Sequence, residues 1–313
     1  MTYRYAALLA ATVLSSCSTA STQPPPSLKP TVAEEAPRPE PENVTERKRL
    51  RLQQYKGRIV QAGLSFWKTE PGAEVFLDGK MVQVDKDGHF ALGFGRDRTE
   101  NAELEVIFTD GSSEKRTLSI GDREFPISRV DGLPPSKVTP YTEEQLSKIA
   151  ADREIKNAAR ANPSRTPYWR AGFDWPLRGR ISTKMGAQRI LNGEPRRPHS
   201  GTDIARFPGV SYDEFVGTPV KAPSTGKVTL AEPDLYFEGG TIFIDHGQGL
   251  ETVFMHLSSV DVKPGQIVAK GEVVGGVGST GRSTGPHLHW TLNWNGTPMD
   301  PELLVPPMIA PQN

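Results

Sequence analysis

The sequence predicts a mainly β fold, with a small immunoglobulin-like β-sandwich in the first half and one helical connector in the middle. Three observations support this prediction. Apolar and polar residues alternate between 56 and 132, where Asp-Gly pairs separate short strands. The last third of the chain is rich in Val, Thr and Gly segments typical of strands. A single segment near residue 142 carries helical periodicity. A length of 313 residues allows two domains with their own cores.

Composition narrows the possible functions. The chain has 37 basic and 37 acidic residues, so its zero net charge argues against a nucleic-acid partner, which would favour a basic excess. A single cysteine excludes an internal disulfide, Cys-rich zinc fingers and CxxC redox chemistry. Any metal or acid–base chemistry must therefore use histidines and carboxylates.

The first seventeen residues are predicted to be a lipoprotein signal peptide. The apolar run at 6–14 is shorter than the roughly 20 residues of a membrane-spanning helix and fits a secretory signal. It ends in Leu14-Ser15-Ser16-Cys17, which resembles the lipobox of bacterial lipoproteins. The resemblance implies lipidation of Cys17, and Ser18 after it favours a periplasmic chain anchored to the outer membrane. The alternative is an ordinary signal peptide cut at a nearby small residue.

A disordered tether is predicted at 18–55. No aromatic residue lies between Ser18 and Gln54, and seven prolines lie between Pro24 and Pro41. Such a segment buries too little apolar surface to fold. Proline-rich chain is semi-extended, so the tether is expected to hold the rest of the chain away from the membrane.

The small β-sandwich is predicted at 56–132. Hairpin turns are expected at Asp78-Gly79 and at Asp110-Gly111, each after an alternating strand. The segment carries no catalytic constellation, and His89 is expected to be exposed and inert. We interpret it as a spacer or a binding module.

A helical connector is predicted at 133–171. Thr142 and Gln145 have the spacing of a capping box, and Leu146, Ile149 and Ala150 begin an apolar stripe that extends to about Asn162. The stripe is expected to pack on a neighbour, or the helix to space the two domains.

Candidate chemistry is concentrated near the end of the chain, where five of the six histidines lie between His199 and His289. They fall mainly in three segments, HSGTD from 199, MHL from 255 and GPHLHW from 285. On a strand, His287 and His289 would project from one face. Gly201 allows a turn that would bring His199 and Asp203 together. Two histidines with one carboxylate are typical of an open catalytic zinc site; the alternative is separate surface or core histidines.

These three segments, in this order, resemble the signature of the M23 (LytM/lysostaphin-type) zinc peptidases. The resemblance covers about 172–305 and implies a domain built on an antiparallel β-sheet. Matched position by position, it implies that one Zn²⁺ is held by His199, Asp203 and His289. It further implies that His256 and His287 are catalytic residues outside the metal ligands. We interpret His246 as a structural histidine at a strand end.

By the same resemblance, the expected activity is hydrolysis of peptidoglycan peptide crosslinks through a zinc-activated water. In a Gram-negative envelope the expected bond is a D-alanyl–diaminopimelate crosslink. Two alternatives stay open. The chain is a catalytically silent activator of a cell-wall amidase or division partner, or it is a structural lipoprotein that bridges membrane and wall. Both would leave the complete set of five residues unexplained.

The sequence departs from the compact M23 pattern in two insertions, at 189–197 and at 206–215. Both flank metal segments and are expected to border the substrate groove, where they would set specificity. Within the first insertion, Arg189, Arg196 and Arg197 are expected either to meet acidic peptide groups or to be solvated loop charges.

Overall fold

A computed structural model describes residues 51–132 and 142–308. The predicted signal peptide with Cys17, nearly all of the predicted tether and the start of the predicted connector lie outside the described residues. The described part is mainly β, as predicted. Within it, no helix combines the length and the apolar character needed to cross a membrane.

The first seven strands form two antiparallel sheets, one of three strands in the order β1-β2-β5 and one of four in the order β4-β3-β6-β7. Their bounds are β1 (Leu52–Gly57), β2 (Leu64–Thr69), β3 (Glu74–Leu77), β4 (Lys80–Val82), β5 (His89–Gly93), β6 (Ala102–Ile107) and β7 (Ser113–Leu118). The predicted turn at Asp78-Gly79 joins β3 to β4, and both residues have positive φ, 51° and 73°. This conformation suits an Asp-Gly pair in a two-residue hairpin loop.

Both sheets contribute to one apolar core, as in a β-sandwich. Its members include Trp67 and Phe90 from the first sheet and Val75 and Leu104 from the second. Leu52 belongs to the same core, so strand β1 includes residues that the sequence assigned to the tether. The immunoglobulin-like assignment stays a prediction. His89 is partly buried rather than exposed, because its ring packs edge-on against Tyr55.

The rest of the chain adds fourteen strands to the described part. They are β8 (Ile127–Val130), β9 (Arg180–Thr183), β10 (Gln188–Leu191), β11 (Glu194–Pro195), β12 (Thr202–Ala205), β13 (Pro219–Lys221), β14 (Gly226–Leu235), β15 (Gly239–Gly247), β16 (Leu250–Leu257), β17 (Ser259–Val260), β18 (Ile267–Val268), β19 (Val273–Gly276), β20 (Leu288–Trp294) and β21 (Thr297–Met299). The helices are α1 (Glu143–Arg160) and α2 (Tyr212–Phe215), with 3₁₀ turns at Tyr168–Ala171 and Pro301–Leu303.

The main sheet is antiparallel and runs in the order β18-β14-β15-β16-β20-β12-β9, with β21 paired to β20. Strand β15 is buried along its whole length. Phe254 of β16 and Trp290 of β20 are completely buried in the same core. This core fixes β16, β20 and β12 side by side, and these strands carry or adjoin the histidine segments.

The two packing cores meet. Leu64, Phe66 and Ala91 of the first sheet join the core of the main sheet, and Phe66 stacks on Trp169 with ring centroids 4.6 Å apart. Strand β8, which follows the first seven strands, pairs in parallel with β10 of the inserted segment.

Helix α1 begins with the predicted capping box. The Thr142 hydroxyl accepts from the Gln145 backbone N–H at 3.1 Å, and the Gln145 side chain accepts from the Thr142 N–H at 3.2 Å. This pair of bonds satisfies two N–H groups at the helix start.

The predicted apolar stripe of α1 serves only in part as a docking face: Ile149 is half-buried, and Ala159 near the helix end packs against buried residues of the main sheet. Leu146 is 53% exposed and Ala150 is exposed, whereas Asp152 is 3% exposed. The Asp152 carboxylate accepts from the backbone N–H of Tyr236 at 2.6 Å, and Lys156 pairs with Glu238. The helix therefore packs on the main sheet in part through polar bonds, which apolar periodicity does not reveal.

Candidate metal centre

Three donor atoms meet where strands β12 and β20 lie side by side. The register places Asp203 directly opposite His289, with Oδ1 and Nδ1 2.8 Å apart. His199, just before β12, brings its Nε2 within 3.1 Å of both atoms. All three side chains are buried. The sequence-predicted ligands are therefore brought together as one group.

Gly201 lies in a bend of the chain, as predicted, and it also permits a close approach to the neighbouring strand. A Cβ on Gly201 would overlap the backbone carbonyl oxygen of Trp290. The φ of Gly201 is outside the left-handed region. The glycine thus allows the segment before β12 to approach β20 closely, which brings His199 beside His289.

Hydrogen bonds on the far side of each ring orient the two histidines. The Nδ1–H of His199 donates to the Lys184 carbonyl at 3.1 Å, which leaves Nε2 with its lone pair. The Nε2 of His289 lies 2.9 Å from the Thr291 hydroxyl, and a hydrogen donated there leaves Nδ1 free for a metal. Sequence reasoning missed both partners. Thr291 lies two residues after His289 on the same strand face, a spacing that could have identified it.

The surroundings favour the protonation states that metal binding needs. Burial acts to raise the pKa of Asp203, but hydrogen bonding with His199 and His289 outweighs it and holds that pKa well below its usual range. A metal bound here would take the place of the protons in those hydrogen bonds. Burial lowers the pKa of His289. A charged carboxylate and a neutral imidazole are the forms that bind metals.

The donor set fits zinc. The three donor–donor distances are 2.8, 3.1 and 3.1 Å. A tetrahedral site with bonds of about 2.0–2.1 Å has donors about 3.3 Å apart, so small adjustments suffice. Two imidazoles and one carboxylate leave the fourth position open, as in catalytic zinc sites.

His256, at the end of β16, faces the same point. Its φ is 65°, a left-handed conformation that is uncommon outside glycine and is seen at functional sites. Its Nδ1–H donates to the Thr280 carbonyl at 2.9 Å, so Nε2 can accept a proton. Burial and the neighbouring His287 lower the pKa of His256 to about 4, which keeps the ring neutral.

His287 stands opposite His256, with ring centroids 4.9 Å apart. Strand β20 begins at Leu288, and His287 directly precedes it in an isolated antiparallel bridge with Gly278. Its Nδ1–H donates to the Gly285 carbonyl at 2.8 Å, and its Nε2 is 3.6 Å from Asp203 Oδ1. His287 and His289 nevertheless line the same groove.

His246 lies apart from this group. It is completely buried in β15, where its Nδ1 contacts the Thr225 carbonyl and its Nε2 contacts the Thr252 hydroxyl, each at 2.8 Å. Burial lowers the pKa of His246 to about 4. This placement agrees with its interpretation as a structural histidine.

A groove of about 520 Å³ leads to the metal centre and contains His256, His287 and His289 in its wall. Arg189, Leu191 and Arg197 of the first insertion also line it, as predicted. Among the residues that the structure describes, none from 206–215 lines this groove. In the second insertion only Phe215 is buried, in the core of the main sheet, and the role of this insertion in specificity stays a prediction.

Comparison with known proteins agrees with this geometry. A profile of Peptidase family M23 matches residues 197–301. The peptidoglycan DD-endopeptidase ShyA of Vibrio cholerae is 33% identical over 247 residues, which cover 75% of this chain and 53% of ShyA. The chain thus spans about half the length of that relative. The DD-carboxypeptidase/endopeptidase Mpg of Neisseria meningitidis is 44% identical over 93 residues, 30% of this chain and 21% of Mpg.

The similarity to a solved structure covers more of the chain than the family profile does. A Pseudomonas aeruginosa protein solved as a peptidase M23 has a TM-score of 0.59 and 30% sequence identity. The match covers 79% of this chain and 95% of that one. Together with the profile and the arrangement of His199, Asp203 and His289, these likenesses show that the chain belongs to the M23 peptidase family.

Proposed function

We propose that this protein is a zinc-dependent endopeptidase that hydrolyses peptide crosslinks of peptidoglycan. The observation that carries the proposal is the juxtaposition of two groups in one groove. His199, Asp203 and His289 present three metal donors, and His256 and His287 stand beside them without sharing that role. The DD-endopeptidase name of the relative ShyA supports the choice of substrate.

The ion would be held by His199 Nε2, Asp203 Oδ1 and His289 Nδ1. When bound, zinc supplies a Lewis acid that lowers the pKa of water toward neutrality and polarises a carbonyl. Proton transfer and stabilisation of the oxyanion would be carried out by side chains of the protein.

His256 and His287 are placed to handle protons. In each ring Nδ1–H donates a hydrogen bond to a backbone carbonyl, so Nε2 is the nitrogen that is left to exchange protons with the substrate and water. A neutral Nε2 accepts the proton of an attacking water and returns it to the leaving amine. The imidazolium formed in between stabilises the oxyanion of the attacked carbonyl.

The proposal includes a cellular location. Resemblance of the segment ending in Cys17 to a lipobox supports a lipid anchor there, in the periplasmic leaflet of the outer membrane. Incorporation of labelled fatty acid into the wild-type chain, and its loss in Cys17→Ser, would support the anchor. Equal labelling of both chains would contradict it.

The direct test uses the purified full chain and a defined crosslinked muropeptide dimer. Chromatography should show conversion to monomers, loss of conversion after chelation and recovery when zinc is added back. If the zinc-loaded chain leaves the dimer intact, the enzyme proposal is wrong. Stimulation of a wall amidase by that same inactive chain would then favour the activator function.

A further inference from the structure

Two arginines face the groove without a carboxylate of their own. Arg189 lies on β10 and Arg282 in the loop that leads to His287, and both line the groove wall. Among residues 51–132 and 142–308, no aspartate or glutamate forms a salt bridge with either guanidinium. Arg197 also lines the groove and forms no salt bridge with a described carboxylate. The groove therefore carries three unpaired positive charges beside the candidate metal centre, of which Arg189 and Arg282 are the two that interact with each other.

The two guanidinium groups repel each other, and Arg189 is also attracted by the Asp203 carboxylate of the metal centre. Burial lowers the pKa of Arg189, while the charge of Asp203 raises it. Burial also lowers the pKa of Arg282, and the charge of Arg189 lowers it further. Both groups stay protonated because arginine titrates far above neutral pH. Their mutual repulsion is relieved when an anion binds between them.

Each of the two carboxylates in the groove wall has a partner other than the arginines, although the Oε2 atom of Glu238 makes no hydrogen bond. Asp203 belongs to the donor group, and Glu238 pairs with Lys156 of helix α1, although its charge also raises the pKa of Arg282. Within the described residues, therefore, no carboxylate forms a salt bridge that neutralises Arg189 or Arg282, although Glu238 attracts Arg282 from a longer distance.

Arg282 is placed at the groove by side-chain packing, and Arg189 by the pairing of its strand. The Arg282 guanidinium lies over the Phe237 ring, 4.3 Å from its centroid. Arg189 sits on a strand paired in parallel with β8, opposite Ser128, so the inserted hairpin is fixed to the segment that precedes the connector. Guanidinium groups held this way suit planar anions, since their N–H groups can donate to both carboxylate oxygens.

We propose that Arg189 and Arg282 form a carboxylate-binding site that recognises a free carboxylate on the amino acid next to the cleaved amide. This inference rests on the proposed function. In a D-alanyl–diaminopimelate crosslink, the carbon that bears the leaving nitrogen also bears a free carboxylate. Glycine bridges and amidated stems offer no such anion beside the cleaved bond.

The test compares two crosslinked dimers that differ only in whether this carboxylate is free or amidated. The zinc-loaded full chain should cleave the free-carboxylate dimer with a kcat/KM about tenfold to a hundredfold higher, the range for a charged hydrogen bond. In Arg189→Gln and Arg282→Gln this ratio should fall toward one. Arg180→Gln, an exposed arginine outside the groove wall, is the matched control and should keep the wild-type ratio.

The outcomes separate this inference from the proposed function. Equal cleavage of both dimers by the wild-type chain, or an unchanged ratio in both arginine variants, overturns the carboxylate site while the endopeptidase stands. Cleavage of neither dimer by the zinc-loaded wild-type chain defeats the endopeptidase and the carboxylate site together. A variant that merely misfolds loses both dimers alike, so the ratio distinguishes misfolding from loss of recognition.

Discussion

Asp203 and His289 face each other across the β12–β20 pair, with Oδ1 and Nδ1 2.8 Å apart although 86 residues separate them in the chain. The antiparallel register alone creates this contact. A slip of one residue would turn one of the two side chains to the opposite sheet face. The metal centre is thus a property of the sheet rather than of one sequence segment.

Zinc content should follow the donor group. The full chain is expected to bind one zinc, and His289→Ala or Asp203→Ala should lose it, because two donors hold the ion poorly. His89→Ala, in the first β domain, is the control and should keep one zinc. The zinc content of each variant is measured by metal analysis after gel filtration. One full zinc per chain in His289→Ala would contradict the assignment of His289 as a metal ligand.

The other two groove histidines should separate metal binding from turnover. His256→Ala and His287→Ala are expected to keep zinc and to lower kcat by about 10²- to 10⁴-fold, since each removes a positioned acid–base group. Steady-state cleavage of a crosslinked dimer, with zinc content measured on the same samples, checks this. Near wild-type kcat in both variants would rule out the catalytic assignment.

Thr291 should tune zinc affinity without touching the ion. Thr291→Val removes the hydroxyl 2.9 Å from His289 Nε2 and should weaken zinc binding about tenfold to a hundredfold. Thr291→Ser keeps a hydroxyl and is expected to stay near the wild type. Competition with a chelator of known affinity measures the difference, and equal affinities in the Val and Ser variants would refute the role.

His246 should make stability depend on pH. The folded pKa is about 4 against an ordinary 6.5, so the unfolded chain binds a proton first as the pH falls. This contribution to stability is complete above pH 6.5 and is lost as the pH falls toward 4. Between pH 7 and pH 5 it amounts to about 2 kcal/mol.

Denaturant unfolding of the wild type and His246→Gln at both pH values isolates that contribution. The variant should lose about 2 kcal/mol less than the wild type on acidification. His89→Gln, whose ring is only partly buried, should retain most of the wild-type pH dependence. Identical pH dependence in the wild type and His246→Gln would show that the buried ring titrates normally.

Features with local chemistry were predictable from sequence. Asp78-Gly79 prescribes its hairpin, and Thr142 with Gln145 prescribes a helix start, because each depends on bonds within four residues. The five site residues were identified through their motifs. The structure places four of them in the wall of one groove, and the fifth, His199, lies directly behind it beside Asp203 and His289.

Features that depend on a partner far away in the sequence were not predictable from sequence. The exposed Leu146 shows that apolar spacing does not choose a helix face when the opposing strands offer polar groups. The contact of Lys184 with His199 and the pairing of β8 with β10 join segments that carry no shared signal. No signal in the sequence marks Arg282, because its proposed role depends on its proximity to Arg189, which lies 93 residues earlier in the chain.

Mass spectrometry of purified peptidoglycan digested with the full chain tests the central claim most directly, because it reports activity and the bond cleaved together. The zinc-loaded wild type should release monomers whose new termini lie at the peptide crosslinks, and His256→Ala should release at most a small fraction of that amount in the same time. Intact crosslinks after digestion with zinc-loaded protein, or cleavage only at a non-peptide bond, would contradict the account.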